Sequence, residues 1–358
     1  MSAHHTLDRL REYLLGPTRF ANVLACFELG IIDELRRGPA MSAAQLAAAA
    51  GARPDAVEQL LHLLVKDDLV GYDERTRTYI LTGLADVAEE DLQRVLAIMN
   101  MAKTVVLRQS YYLTDSVRSA TTVGLKQLYG HDGNLYEALA THQDLREAWG
   151  SMMDAVTAHI DPWFFGSIDI PAGARVLDLA GNTGLGAILA LRLAEAPDLH
   201  VTTFDLPDKE ADCLRNFKAA GVDERCSFIG GDVFQEVPEG FDVVLIKHFL
   251  DMFDKEEVTR ILRNTYKALN PGGRLHILGP VYPENLKDSY AADFFPTYFL
   301  GCTMGQGGPQ KLSTYQQWLQ EHGFTVTQAI AQDLAEMPAD ALAAHGIVSA
   351  TKPSLAPQ

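Results

Sequence analysis

The chain has 358 residues, 47% of them hydrophobic and 22% charged, the balance of a folded protein with a core to bury; disordered and collagen-like classes are excluded, and the length points to roughly two domains. Its 30 Lys and Arg against 47 Asp and Glu leave a net charge of −17, which disfavours nucleic acid and anionic membrane surfaces as partners. Cys26, Cys213, Cys226 and Cys302 lie far apart without metal-ligand spacing and read as free thiols in a reducing, cytoplasmic setting; no signal-peptide pattern opens the chain and no apolar run is long enough to span a bilayer.

The first elements are helical. TLDRLREYLLG and PTRFANVLACFELGIIDELRRG place apolar residues at helical spacing, with Gly16 and Gly38 as stops. MSAAQLAAAAG follows with Ser42 as its N-cap, and PDAVEQLLHLLVKDDLV starts on Pro54 in a first-turn position. A hairpin of LVGYD and TYILTG, turning at Glu74–Thr76, completes three helices and a two-stranded wing. Such a winged helix invites a DNA-binding reading. The helix from Pro54 to Lys66, however, offers only Lys66 as a cation beside Asp55 and Glu58, and residues 1–90 hold nine Lys/Arg against fourteen Asp/Glu. A packing or dimerisation module fits better, because Phe20 to Leu35 is apolar over too wide an arc for one small domain.

Residues 91–168 read as further helices, with Trp149, Met152, Met153, Trp163, Phe164 and Phe165 either in a core or along an apolar pocket. From Ala172 the pattern changes to ARVLDLA, HVTTFDL, CSFIGGDV, FDVVLIKHF and GRLHILG alternating with helical runs, then FTVTQAIAQ and HGIVSATKP as closing strands. The expected fold class is α/β. The expected division is a winged-helix-like domain over 1–100, a helical segment over 101–168 and a Rossmann-like domain over 169–352, with PSLAPQ as a frayed tail.

The segment RVLDLAGNTGLGAILALRLAEAPDLHVTTFDLP carries the ligand chemistry. A strand ending at Asp178 leads through the small-residue turn 180–184 into a helix, and the second strand ends in Asp205, placed to accept from two ribose hydroxyls. A dinucleotide requires GxGxxG and a loop that welcomes pyrophosphate. Here Ala180 and Asn182 stand where that loop takes glycine, and Asp178 would repel phosphate while suiting an ammonium. Asp232 in GGDV ends the next strand, where an adenine amino group needs an acceptor. S-adenosylmethionine offers an ammonium, a sulfonium and a ribose without phosphate, so three acids at successive strand ends favour it over NAD(P) as cofactor. No metal is expected.

The winged-helix unit followed by the VLDLAGNTG loop, FDLP, GGDVF, LIKHFLDMFDKEE and NPGGRLHIL resembles, over nearly the full length, the caffeate/acetylserotonin-type O-methyltransferases, including their bacterial natural-product branch. FFPTYFLGCTMGQGGPQKLSTYQQWLQEHGF is similar to the corresponding stretch of the carotenoid and bacteriochlorophyll methyltransferases. The resemblance implies a class I Rossmann-like catalytic domain, a homodimer built through an N-terminal helical winged-helix dimerisation domain, and methyl transfer to a small molecule. Cofactor contacts carry over to Gly181, Asp205, Asp232, Val233 and Lys247, with Asp178 and Thr157 beside them.

The sequence departs from that family where the base should be. The family segment runs roughly LKxxxHDWxD; aligned on Ile246-Lys247, it puts Asp251 in the place of the proton-accepting His, with His248 three residues earlier. The two Glu residues that orient that His fall on Gly279 and near Pro309–Gln310. An ordinary Asp is about 2.6 pKa units less basic than His, roughly 3.5 kcal/mol poorer as a proton acceptor. Three routes follow: Asp251 or His248 serves as base with Tyr298 nearby; the acceptor needs little deprotonation, as an amine, an acidic enol or an activated ring carbon would; or a cyclisation, dehydration or rearrangement replaces methyl transfer. The leading expectation is methylation of a small, largely apolar natural-product intermediate, with Asp251 and His248 facing it and Trp163, Phe295 and Tyr298 as walls. Against this, His248 is equally a satisfied strand-end histidine and Asp251 a helix cap, although Asp254 suits that cap better. His276 reads as structural, and Glu284 has no evident partner.

Overall fold

The first helix does not stop at Gly16. In the computed structural model, which describes residues 3–285, 291–333, 337 and 341–354, Ala3–Glu28 is continuous through Gly16 and Pro17. Proline removes one i to i−4 bond there. The carbonyl it frees belongs to Tyr13, an exposed residue that water can serve, so the helix survives. The break falls instead at Gly30, whose φ of 69° is a left-handed turn that glycine takes at little cost.

Two units, Met1–Met99 and Asn100–Gln358, divide the chain. The first contains helices Ile31–Arg37, Ala43–Ala50 and Pro54–Lys66 and an antiparallel pair, β1 (Val70–Asp73) with β2 (Thr78–Leu81), around a core of Ile31, Ile32, Leu46, Leu61 and Leu64. Ser42 and Gln45 form a capping box, and Pro54 opens its helix as expected. The stretch after residue 89 is helical but interrupted by a π-helical turn at Ala102–Leu107.

The second unit is a seven-stranded sheet in the order β5-β4-β3-β6-β7-β9-β8: β3 (Arg175–Leu179), β4 (His200–Asp205), β5 (Cys226–Gly230), β6 (Phe241–Lys247), β7 (Leu269–Pro280), β8 (Thr325–Ala331) and β9 (His345–Thr351). The five strands from β3 to β7 run parallel, and β9 lies antiparallel between β7 and β8. Chain order reverses between β3 and β6, the usual place for a ligand in such a sheet. Side-chain alternation makes both faces apolar. Leu177, Leu179, Val244 and Ile246 join Ile261, Leu262 and Leu319 of helices 255–268 and 312–321 in one cluster; Val176, Val243 and Leu245 join Ile160, Phe164, Ala187 and Phe217 of helices 143–167, 185–193 and 210–220 in the other. Helices therefore cover the sheet on both sides, a Rossmann-like core. Most of the expected C-terminal tail, residues 355–358, lies outside the described residues.

Candidate functional site

Period two puts Asp178 of β3, Asp205 of β4 and Lys247 of β6 on the sheet face covered by helix 143–167. Asp178 lies inside β3 rather than at its tip, fully buried beneath the 180–184 loop. Burial pushes its carboxyl up to about 6 against the pull of Lys247, and Oδ2 has no hydrogen-bond partner among the described residues. Gly181 is required here: a Cβ would lie 2.3 Å from that oxygen and 2.9 Å from Thr203 Cγ2. Ala180, Asn182 and Gly184 all have positive φ, and the two non-glycine residues among them place strain beside the carboxylate.

Asp205 ends β4 and ties the loop to it. Its Oδ2 accepts from the Asn182 amide and its Oδ1 from the Leu206 amide, both at 2.7 Å, while burial raises its pKa. Each oxygen keeps a further lone pair for a hydroxyl. Asp232 lies two residues beyond β5, not at its end, and accepts from the Phe234 amide and the Gln235 side chain. Val233 is buried in the first cluster, and its carbonyl receives Asn264. Lys247 Nζ lies 2.6 Å from Asp161 Oδ2. An orphaned buried oxygen, a cradle that a single Cβ would fill and carboxylates without a phosphate nest fit S-adenosylmethionine: Asp178 for its ammonium, Asp205 for ribose hydroxyls.

Past the end of β6, His248 has φ 50°, a left-handed conformation rare for a non-glycine residue, and its Nε2 is buried without a partner among the described residues. Its ring packs edge-to-face on His345 of β9, centroids 5.0 Å apart. Burial, then the neighbouring His345 and Lys247, holds its pKa well below the usual histidine value, so the ring is neutral at pH 7. Asp251 sits in a short 3₁₀ turn, Leu250–Met252, while Asp254 makes the capping box of the next helix with Glu257. Burial pushes the Asp251 carboxyl up to about 6, and its Oδ1 has no partner among the described residues.

Three tyrosines from three elements feel the Asp251 charge. The hydroxyls of Tyr136, Tyr298 and Tyr315 are all pushed up, first by burial and further by Asp251. Tyr298 receives Trp149 Nε1 at 3.2 Å and lies 3.4 Å from the Tyr136 hydroxyl. The three positions that the sequence reading set in place of a His and two Glu also lie close together: the Gly308 amide donates to the Asp251 carbonyl at 2.6 Å, the Gln310 amide donates to the Tyr315 hydroxyl, and a Cβ on Gly279 would lie 3.9 Å from that hydroxyl. Phe295 lines an adjoining cleft of about 520 Å³ with Tyr282, Phe299, Gly308 and Gln310.

Trp163 belongs to a different group, packing on the core cluster of Ile160 and Phe164, where Phe165 also lies. Glu284 does have partners, Lys311 at 3.2 Å and Ser313 at 2.8 Å; both follow it by more than 25 residues, which sequence proximity conceals. His276 is structural, bonded to Ser349 at 2.8 Å. The residues missed from sequence are Tyr136, Asp161, Tyr315 and His345. Tyr136, Asp161 and His345 reach the site from elements without a motif, Asp161 as a charged residue on the apolar face of a helix; Tyr315 lies within the FFPTYFLGCTMGQGGPQKLSTYQQWLQEHGF stretch, whose resemblance does not single it out.

A family model described as the O-methyltransferase domain matches residues 110–325, and one described as the O-methyltransferase dimerisation domain matches residues 12–89. L-tyrosine C(3)-methyltransferase of Streptomyces lavendulae is 24% identical over 349 residues, covering 97% of this chain and 93% of its own. Aclacinomycin 10-hydroxylase RdmB of Streptomyces purpurascens is 31% identical over 258 residues, 70% of this chain and 66% of its own. Human N-acetylserotonin methyltransferase, solved in complex with S-adenosylmethionine, shares the fold with a TM-score of 0.80 at 19% identity over 99% of each chain.

Proposed function

The chain belongs to the O-methyltransferase family, and from that premise we propose that it methylates a small, largely apolar natural-product acceptor, using S-adenosylmethionine and with Asp251 taking up the acceptor's proton. One observation carries this reading: the Asp251 carboxyl, buried, with one oxygen unpartnered, at about 6. An ordinary histidine has a pKa of about 6.5, so the proton-accepting deficit of an aspartate at this position shrinks to under about 1 kcal/mol. His248, held neutral and well below its usual value, is the weaker acceptor of the two and serves as a hydrogen-bonding group instead.

The bound cofactor supplies an electrophilic methyl on a sulfonium. Asp205 holds its ribose end and Asp178, beneath Gly181, its ammonium, with Asp232 toward the adenine. Phe295 and Tyr298 wall the acceptor, and Tyr136 and Trp149 fix the Tyr298 hydroxyl. Excluding water favours a displacement in which charge disperses. A base near pKa 6 faces a deficit of about 4 units against a phenol but only about 1 unit against a hydroxyl of pKa 7. The acceptor is therefore an acidic enol or hydroxyquinone, an amine, or an activated ring carbon; a relative at 24% identity is named for C(3)-methylation of L-tyrosine.

A second reading keeps the cofactor as a fixed positive charge and replaces methyl transfer by another reaction. It is favoured by Gly279 in the place of an orienting Glu and by a relative named as a hydroxylase. Label in the cofactor methyl separates the two: it enters the product in the first and stays on the cofactor in the second. The shared premise is tested by calorimetry. Asp205→Ala should abolish measurable cofactor binding; affinity equal to the parent's would end the assignment. The active form is a homodimer formed through the N-terminal unit, whose first helix exposes Leu7, Leu10, Tyr13 and Leu14.

A further inference from the structure

Asp251 is a buried carboxylate without a counter-charge. Its Oδ1 has no hydrogen-bond partner among the described residues, and no Lys, Arg or protonated His stands among the groups that act on it. Lys247, at the end of β6, is bonded to Asp161 at 2.6 Å, and Lys311, which lines the adjoining cleft, to Glu284 at 3.2 Å. His248 is neutral. Aromatic groups surround the carboxylate instead. Tyr136, Tyr298 and Tyr315 feel its charge. The Tyr298 ring stacks on Phe294 with centroids 6.0 Å apart and meets Phe299 edge-on at 5.0 Å, and Phe299 lines the cleft. Gly308 lines it too and donates its amide to the Asp251 carbonyl, so the cleft backs onto the turn that carries the carboxylate.

A ligand that suits this carboxylate meets two conditions. It brings an N–H or O–H donor for Oδ1, because a buried oxygen left unpaired is costly. It brings no negative charge, because nothing here neutralises a second anion. An acidic enol or hydroxyquinone, ionised in neutral water, fails the second condition, and a bare ring carbon fails the first. An ordinary phenol meets both but is about 4 pKa units too weak an acid for a base near 6. We propose that the accepting atom is the nitrogen of a neutral arylamine, hydrogen-bonded through its N–H to Asp251 and held among the aromatic rings. The proposal rests on the reading that the chain transfers a methyl from S-adenosylmethionine. The nitrogen lone pair forms the new N–C bond as the C–S bond breaks, the electron pair of that bond staying on sulfur. The resulting N-methylanilinium is a stronger acid than the Asp251 carboxylic acid and gives its proton to Oδ1. No proton has to leave before the methyl arrives, which removes the deficit that a phenol faces.

The experiment is calorimetry of the full chain at pH 8, saturated with the thioether product S-adenosylhomocysteine, with three planar probes. These are 2-naphthylamine and 2-naphthol, both neutral, and 2-hydroxy-1,4-naphthoquinone, an anion at that pH. The amine should bind at least about tenfold tighter than the anion, and in Asp251→Asn that gap should close to within about twofold. With methyl-labelled cofactor in place of the thioether, label should appear on the amine nitrogen, and on the naphthol oxygen at least about a hundredfold more slowly. An anion that binds as tightly as the amine, a gap that survives in Asp251→Asn, binding of none of the three probes, or label on oxygen at an equal rate overturns the proposal. Probes that bind and rank as stated but take up no label overturn the methyl-transfer reading instead. A chain that takes up no S-adenosylhomocysteine overturns the cofactor reading. Should Asp251→Asn not fold, the parent's ranking and the position of the label decide.

Discussion

In the proposed role of Asp251 as base, its proton affinity is set by what surrounds the carboxylate rather than by the residue type. Burial with an unpartnered oxygen makes ionisation costly, and the same surroundings push the neighbouring His248 toward neutrality. A base with pKa about 6 predicts a methyl-transfer kcat/KM that is flat above pH 7 and falls about tenfold per unit below pH 6. In Asp251→Asn that acid limb should vanish and kcat should drop by about 10²–10⁴, with cofactor affinity nearly unchanged; an acid limb that persists in the variant would assign the base elsewhere. Stability follows the opposite sign from a salt-bridged carboxylate. Because the folded pKa exceeds the unfolded one, the cofactor-free protein binds more protons than the unfolded chain between about pH 4 and 6, so it loses stability as pH rises through that window. Asp251→Asn should therefore be more stable than the parent at pH 8, by about 1–3 kcal/mol, and no more stable at pH 4, in denaturant titrations.

Among the elements, local chemistry was legible and distant packing was not. Ser42, Pro54 and Asp254 announce helix starts because a cap acts on residues three positions away, and the alternation of strands fixes the sheet class. The π-helical turn at 102–107 and the burial of Asp178 inside β3 depend on contacts remote in sequence, whereas the helix runs on through Gly16 in solvent, where water serves the freed carbonyl. So does the site itself. Asp205 and Gly181 could be read from one strand–loop–helix–strand segment, whereas Tyr136, Asp161 and His345 meet it only through tertiary structure. The loop around Gly307 shows how such a contact constrains the site. Gly307 has φ 78°, and a Cβ there would lie 2.4 Å from the Asp251 carbonyl oxygen, 2.7 Å from Met252 C and 2.9 Å from Phe253 N, all backbone atoms that cannot rotate away. Gly305 has nearly the same φ, 75°, but its Cβ would meet only Leu300 Cδ2 at 3.5 Å. Gly305→Ala should cost about 1 kcal/mol of stability through its left-handed backbone alone, while Gly307→Ala should displace the 250–252 turn and lower kcat at least about tenfold with cofactor affinity retained. Equal effects of the two substitutions on kcat would show that the approach to Asp251 is not what fixes the base.

For the molecule as a whole, charge and exposed apolar surface decide the partners. No single helix among the described residues is long and apolar enough to cross a membrane. The helix Pro54–Lys66, where a winged helix would read DNA, begins with Arg53 paired to Asp55 and carries Asp55 and Glu58 against Lys66, too few cations to offset a phosphate backbone. The unit instead presents Leu7, Leu10 and Leu14 at positions i, i+3 and i+7 of its first helix, with Tyr13 beside them, each more than half exposed. Such a stripe on a chain whose charged residues are plentiful elsewhere is a surface awaiting an apolar counterpart. In the proposed homodimer a second copy supplies one by symmetry; the dimerisation-domain match, residues 12–89, takes in Tyr13 and Leu14 of the same helix. Sedimentation equilibrium of the full chain should give twice the chain mass at micromolar concentration. Leu10→Asp with Leu14→Asp puts two charges into the stripe of each protomer and should return a monomer. Both substitutions are at exposed positions, so the helix and its unit should keep their thermal stability apart from that contributed by association. The two clusters that flank the seven-stranded sheet and Asp205 belong to residues 100–358, so calorimetry on the monomer should still find cofactor bound. A parent that sediments as a monomer, or a double variant that remains a dimer, would move the interface away from this helix.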